Sequence, residues 1–587
     1  MNRGMDGPEA SALQELAREL GVLTGYRDGL GRRVEVPPEG LVALCSAVGP
    51  EIRSPADAAE ALGYVSRLRQ SRMLSEVIVA WDGRLDAAAL RAPSSSVSGE
   101  PPGRRLHAGT DVRLTFVRED GEERQLLGGP RGEPGSRLEA SSGRGEGSER
   151  PEQLPFGYHR LRLETAGRSE ECTVISAPRR AWRPRGGTAS WGLAVHLSAL
   201  RSSRSRSVGD LRDLEAFCRW TGARGGDVAA VLPLLPTFNR PPSEPSPYSP
   251  VSRLFWSELI LDLGDAHRPT PPSPGLDVER ADAEVRAALD ARPSPDAARV
   301  DEELRAYARF RGAQARLGRD WRRWPRGARR GTPRDEDVDP GEERFHLIAQ
   351  VEARRQLGEL GSRLASDGFR IGLDLAVGVH PDGFDPWSRQ GLFASGISVG
   401  APPDRAFPSG QSWGFPPVLP EASRAEGHRY LADGVAHQAA VADVLRVDHV
   451  MALTRLFWIP AGGGIEEGSY VRYPAEELFA VLCLESHRHH CEIVGENLGT
   501  VPDEVEEALH RHGIAGMYLA QFDAAREDPH PPRATEVSSF GTHDTATFAG
   551  WLKGRDIDER LGHGLVDEAT AEDERTARRR EVERLME

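Results

Sequence analysis

Val444-Leu445-Arg446-Val447-Asp448 is a short, mostly apolar run with an acid at its C-terminal end, and the same shape returns twice downstream. Ile493-Val494-Gly495 leads to Glu496, and Ser538-Ser539-Phe540-Gly541-Thr542-His543 leads to Asp544. Runs this short, followed by turn or helix signals, read as buried parallel strands with carboxylates at their C-terminal tips. Working outward, strand and helix patterns alternate from residue 189 onward. Trp191 to Leu197, Val228 to Leu232 and Phe369 to Leu375 supply three strands before the two that end at Asp448 and Glu496. Gly516 to Phe522 and Ser538 to Asp544 supply two more. The reading is an α/β fold, a TIM-type (β/α)8 barrel counted one strand short and so truncated before strand 8, with its acids at the mouth.

Acids in this pattern suit the cleavage of a glycosidic bond with retention. One ionised carboxylate attacks the anomeric carbon and one protonated carboxyl, roughly 5 Å away, donates to the leaving oxygen. A third can hold sugar hydroxyls and favour the cationic transition state. Residues two apart in a strand share a face, so Arg446 should sit beside Asp448 and favour its ionised form. Glu496 has no basic residue within three positions and follows an apolar strand, which suits a raised pKa and the proton donor's role.

Seven words in the sequence carry a family resemblance. They are Ser246-Pro247-Tyr248-Ser249-Pro250, Asp374-Leu375-Ala376-Val377-Gly378-Val379, Gly400-Ala401-Pro402-Pro403-Asp404 and Gly410-Gln411-Ser412-Trp413-Gly414, followed by Arg446 to Val450, Gly495 to Pro502 and Thr542-His543-Asp544. In this order they closely resemble the 4-alpha-glucanotransferases, or amylomaltases, of glycoside hydrolase family 77. The resemblance implies Asp448 as nucleophile, Glu496 as general acid/base and Asp544 as transition-state stabiliser. It implies that Arg446, His449 and His543 contact the sugar at the cleavage point, and that Tyr248, Asp374, Asp404 and Trp413 line the donor and acceptor cleft. Two words depart from the family: Asn497 and Ser412 stand where Asp and Asn are usual, which bears on acceptor preference. Family members also continue past the Thr-His-Asp word to an eighth strand and a Pro-rich loop, whereas the residues after Asp544 here are mostly polar.

The expected activity is transfer of α-1,4-glucan segments between maltooligosaccharides, without a cofactor. An alpha-amylase-like hydrolase is the alternative within enzymes, and an inactive glucan-binding fragment is the alternative outside them. A net charge of −15 argues against nucleic acid as a partner. No apolar run approaches the roughly 20 residues that cross a bilayer, and the first thirty residues do not read as a signal peptide. Five cysteines without a CxxC pair read as reduced thiols of a cytoplasmic protein.

Residues 1–70 have helical spacing, with Pro37-Pro38 opening one helix. Residues 71–180 read as strands and hairpins of a small antiparallel sandwich, with disordered loops near 93–105 and 127–154. Residues 181–587 form the catalytic region, interrupted by a helical insertion at about 265–345. His487, His489, His490 and Cys491 do not converge like metal ligands on a helix end, so no metal is expected. The glycine run at 462–464 lacks the Lys of a phosphate loop and reads as a flap. Trp321, Trp324 and Trp458 are expected to fill core, and Trp413 to meet sugar.

Overall fold

The computed structural model describes residues 8–85, 113–127, 153–165, 167–184, 190–204, 206–264, 275–404, 407–526 and 530–586. The expected loop at 93–105 and nearly all of the one at 127–154 lie outside the described residues, as do residues 265–274 of the insertion. The chain divides into two compact units, Met1–Ile493 and Val494–Glu587.

In the first unit, strands Gly192–Val195, Val228–Val231, Arg370–Leu375, Val444–Val447 and Glu492–Gly495 lie side by side in chain order; the unit boundary falls within the last. The first four of these strands pair in parallel. Helices Leu211–Gly222, Pro340–Ser366, Arg429–Ala439 and Ala475–His489 lie between successive strands, so each connection is a crossover of the kind parallel pairing requires. Strand Arg370–Leu375 is buried at every position after the first, as expected where helices cover a sheet on both faces. Asp339 caps Pro340–Ser366 by accepting from the Gly341 and Glu342 amides, and Pro340 occupies its first turn. Helices Val278–Asp290 and Glu302–Leu317 fall within the expected insertion. No closed ring of strands is recorded among the described residues.

Five further strands form a mixed sheet ordered Val77–Trp81, Arg168–Ala177, Gly157–Thr165, Arg113–Val117, Glu123–Leu127. The first pair is parallel, where the sequence suggested only antiparallel hairpins; the long connection between the two strands removes the hairpin constraint. One face packs Leu114, Phe116, Leu161, Leu163 and Val174 together. On the other, Val77, Ile175 and Ala177 meet Ala480, Val481 and Leu484 of helix Ala475–His489.

The N-terminal helices Pro8–Glu19, Pro38–Val48 and Ala58–Ser71 share a core with an antiparallel sheet that the sequence reading did not anticipate. Its strands run Gln411–Ser412, Ile397–Ala401, Arg455–Pro460, Ser469–Arg472. Leu13, Leu16, Leu44 and Cys45 from the helices pack with Val399, Phe457, Trp458 and Val471 from the strands. Trp321, Trp324 and Trp458 are all buried. The glycine run follows strand Arg455–Pro460 as a turn, with the Gly463 amide on the Pro460 carbonyl.

The second unit holds the parallel pair Gly516–Leu519 and Glu536–Ser539 and ends in helices Arg555–Gly562 and Glu568–Met586. Two expected strands are shorter than their sequence runs: Leu519 leads directly into the helix Ala520–Asp523, and the last strand ends at Ser539. Asp544 therefore lies in a turn beyond the strand rather than at its tip. The run after Ser539 holds Gly541 and Thr542; the Ser539 hydroxyl donates to the Gly541 carbonyl and the Thr542 amide donates to the Thr545 hydroxyl, closing a local turn instead of a ladder.

Candidate active site

Asp374 and Arg446 are paired across neighbouring parallel strands, so their side chains leave the same face of the sheet. The Arg446 guanidinium donates through Nη1 to both Asp374 oxygens, at 2.7 and 2.6 Å, and the same nitrogen lies 3.0 Å from Asp448 Oδ1. Asp448 immediately follows strand Val444–Val447, and its amide bonds to the Leu375 carbonyl at 3.1 Å. The Tyr248 hydroxyl donates to Asp374 Oδ2 at 2.6 Å. Burial, and then the Asp374 charge, push the Tyr248 phenol far above its ordinary range, so it acts as a donor throughout neutral pH. Four of the residues singled out from sequence thus meet in one hydrogen-bonded chain running Tyr248, Asp374, Arg446, Asp448.

His449 has φ 46°, in the left-handed region, which costs a non-glycine residue roughly 1–2 kcal/mol. Its ring meets Trp413 edge-on, with centroids 5.2 Å apart. Burial, with a smaller effect of Arg455, holds His449 down to about 4, so the imidazole is neutral at pH 7. A neutral imidazole set against a tryptophan ring is suited to an uncharged, hydroxyl-rich ligand. Trp413 is set by its own amide bonding to the Val399 carbonyl at 2.8 Å, and packs on the core that the N-terminal helices share. Asp404 accepts a hydrogen bond from the Phe407 amide at 2.6 Å. Ser412, one of the two departures, hydrogen-bonds Ser398 across the strand at 3.0 Å.

In the second unit, Glu496 directly follows its strand and is 8% exposed, with one oxygen accepting from the Leu498 amide at 3.0 Å. Asn497, the other departure, uses both ends of its amide: Nδ2 donates to Glu506 at 2.7 Å and Oδ1 accepts from the Met517 amide at 2.7 Å. An aspartate there could not donate to Glu506 and would repel it, so Glu506 gives the asparagine a local reason. Asp544 contrasts with the other acids, its side chain being 76% exposed, with His543 Nε2 3.2 Å from Oδ2. The histidines at the end of helix Ala475–His489 go separate ways: His487 to the Arg180 carbonyl, His489 towards Glu485, and His490 against the Trp182 ring.

Sequence reading missed Asp385. This fully buried carboxylate accepts from Ser252 Oγ at 2.5 Å, the Arg253 amide at 2.9 Å and the Tyr430 hydroxyl at 2.7 Å. Its partners are more than forty residues away in sequence, and nothing local to Phe384-Asp385-Pro386 announces them.

A family profile described as 4-alpha-glucanotransferase matches residues 195–301 and 297–587, and one described as the MalQ N-terminal beta sandwich domain matches 73–178. The 4-alpha-glucanotransferase of Mycobacterium tuberculosis is 32% identical over 621 residues, covering 95% of this chain and 83% of that one. That of Haemophilus influenzae is 27% identical, over 69% of this chain and 66% of its own. Among solved structures, amylomaltase from Corynebacterium glutamicum superposes with TM-score 0.76 at 25% identity, covering 97% of this chain and 84% of that one. The amylomaltase from Streptococcus agalactiae in complex with acarbose gives 0.53 at 20% identity, over 62% and 81%, a likeness of fold. With its amylomaltase-like α/β fold and N-terminal β-sandwich domain, the chain belongs to the 4-alpha-glucanotransferases, glycoside hydrolase family 77.

Proposed function

We propose that the chain moves segments of α-1,4-glucan from one maltooligosaccharide to the 4-hydroxyl of another by two successive displacements at Asp448. In the first, an Asp448 oxygen attacks the anomeric carbon while Glu496 gives its proton to the departing O4, leaving a covalent glucanosyl ester and a free glucan end. In the second, Glu496 takes the proton of an incoming 4-hydroxyl, whose oxygen displaces Asp448 and restores the α configuration. Asp544 stabilises the positive charge that develops at the anomeric carbon. Arg446, His449 and His543 hold the sugar at the cleavage point, and Tyr248, Asp374, Asp404 and Trp413 line the cleft. The bond broken and the bond made are of one kind, so no energy source or cofactor is needed.

The observation that carries this reading is the bridge from Arg446 to both Asp374 and Asp448, which supplies the attacking carboxylate with a cation and fixes its place at a strand tip. The near-complete burial of Glu496 supports its reading as proton donor, since burial favours the uncharged acid. The fold we propose for 181–587 is a TIM-type (β/α)8 barrel counted one strand short, fronted by a helical segment over 1–70 and the sandwich over 71–180; strands succeeding one another in chain order support it. The substrate we propose is a linear α-1,4-glucan and the location cytoplasmic, in keeping with five buried free cysteines. No described helix is long and apolar enough to cross a membrane.

Incubation with maltotriose tests the function. Glucose together with a ladder of oligosaccharides longer than the substrate is expected. Glucose and maltose alone would mean that water is the second acceptor, and the reading would yield to a hydrolase.

A further inference from the structure

Tyr248 reaches Asp374 from a loop whose preceding residues are exposed, so something must hold that loop still. Backbone bonds do part of it: the Val251 amide bonds to the Pro236 carbonyl, the His380 amide to Pro250 and the Phe384 amide to Val251, all within 2.8 Å. The rest converges on Asp385, through the Ser252 hydroxyl and the Arg253 amide, with the Tyr430 hydroxyl as third donor. Arg253 continues the chain. Its Nε donates to the Tyr430 hydroxyl at 3.2 Å, its guanidinium lies over the Tyr430 ring at 4.5 Å, and its Nη1 donates to the Ala376 carbonyl at 3.2 Å. Ala376 lies two residues beyond Asp374, just past the end of its strand.

One buried carboxylate therefore fastens the Tyr248 loop and, through Arg253, ties that loop to the strand end that carries Asp374. An apolar residue of similar size would fill the same space without the desolvation of a charge. What it would lose is direction: three donors fixed on two oxygens set the loop's position and rotation together.

Building on the glucan-transfer reading of the site, we propose that Asp385 is a positioning residue for the reaction. It seats Tyr248 on Asp374, and Asp374 in turn holds Arg446 where it bridges to Asp448. Asp385 touches neither substrate nor reacting atom, and its influence passes through the Tyr248 hydroxyl.

The test is a double-mutant cycle on maltotriose disproportionation with D385N, Y248F and the double variant; the melting temperature of each is measured, and kcat and KM are then determined below the lowest of them. D385N keeps the shape but turns one acceptor into a donor facing Ser252. It is expected to lower kcat about tenfold with KM changed less than about threefold. In the Y248F background, itself slower than wild type, the same change is expected to cost less than about twofold, because the route through the hydroxyl is already gone. S252A removes a single donor from Asp385 and serves if D385N does not fold; it is expected to give a smaller kcat loss with the same dependence on Tyr248. Equal losses in both backgrounds, unchanged kcat in D385N or S252A, or wild-type rates in Y248F would each overturn the proposal. A wild-type enzyme that makes nothing longer than maltotriose would instead remove the transfer reading beneath it.

Discussion

Replacing Arg446 by Met keeps a long side chain but removes the cation that bridges Asp374 and Asp448. The two carboxylates it serves have side chains only 5% and 17% exposed, so water does little to replace it. Removing one partner of a buried ion pair destabilises by about 3–5 kcal/mol, against about 0–1 kcal/mol for a surface pair. Two like charges then face each other, with the Tyr248 hydroxyl serving only Asp374. The folded variant relieves this by binding a proton that the unfolded chain does not yet hold at the same pH, so the variant gains stability relative to wild type as pH falls. The expected result is a deficit of about 3 kcal/mol or more at pH 7.5 that narrows towards pH 5, measured by calorimetry on both proteins. Transfer activity should fall by about a thousandfold. Arg446→Lys should recover only part of either loss, because the lysine ammonium ends one bond short of the Nη1 that makes all three contacts and is the more strongly hydrated cation. A deficit under about 1 kcal/mol, or one that widens as pH falls, would refute the view that this bridge is a buried, structure-bearing pair.

Asp448→Asn is expected to lower the rate on maltotriose by about a thousandfold or more while leaving the melting temperature within a few degrees; near-normal activity would remove the nucleophile assignment. Glu496→Gln should slow maltotriose turnover far more than turnover of an aryl maltoside with a good leaving group, and equal losses would count against proton donation. Burial holds His346 well below its ordinary range, His437 down to about 3 and His449 to about 4, so the folded chain keeps them neutral while the unfolded chain protonates near 6.5. Stability should therefore fall as pH drops from about 6.5 towards 4, and His346→Gln should flatten that slope in thermal melts; an unchanged slope would contradict it. Leu44→Ala should cost about 2–5 kcal/mol and lower the melting of the whole first unit, because Leu44 packs on strands that carry Trp413; a separate early transition of the N-terminal helices alone would argue otherwise.

What the sequence made legible was whatever a short window contains. The strands ending before Asp448 and Glu496 are where their apolar runs place them, because a buried parallel strand writes its own length in consecutive hydrophobic residues. Arg446 beside Asp448 follows from the two-residue period alone. Asp544 was misplaced because Gly541 and Thr542 bend the chain after Ser539, and a run containing both can be read as strand or turn. Glu123–Leu127 escaped notice because an edge strand can be largely polar. The sheet built on Ile397–Ala401 and Arg455–Pro460, and the donors on Asp385, were out of reach for a different reason. Their partners are distant in sequence, and one sequence by itself carries no signal of which distant residues meet.

The core that joins the first helices to residues 397–472 also has a consequence in time. At synthesis rates of roughly 5–20 residues per second, the strands that cover Leu13, Leu16 and Leu44 leave the ribosome some tens of seconds after the helices do. During that interval the helices carry an apolar stripe with its final cover still unmade. Their order of emergence thus makes the N-terminal segment a natural client for whatever holds nascent chains apart, and makes the completion of the strand Ser469–Arg472 the moment at which that protection can be released.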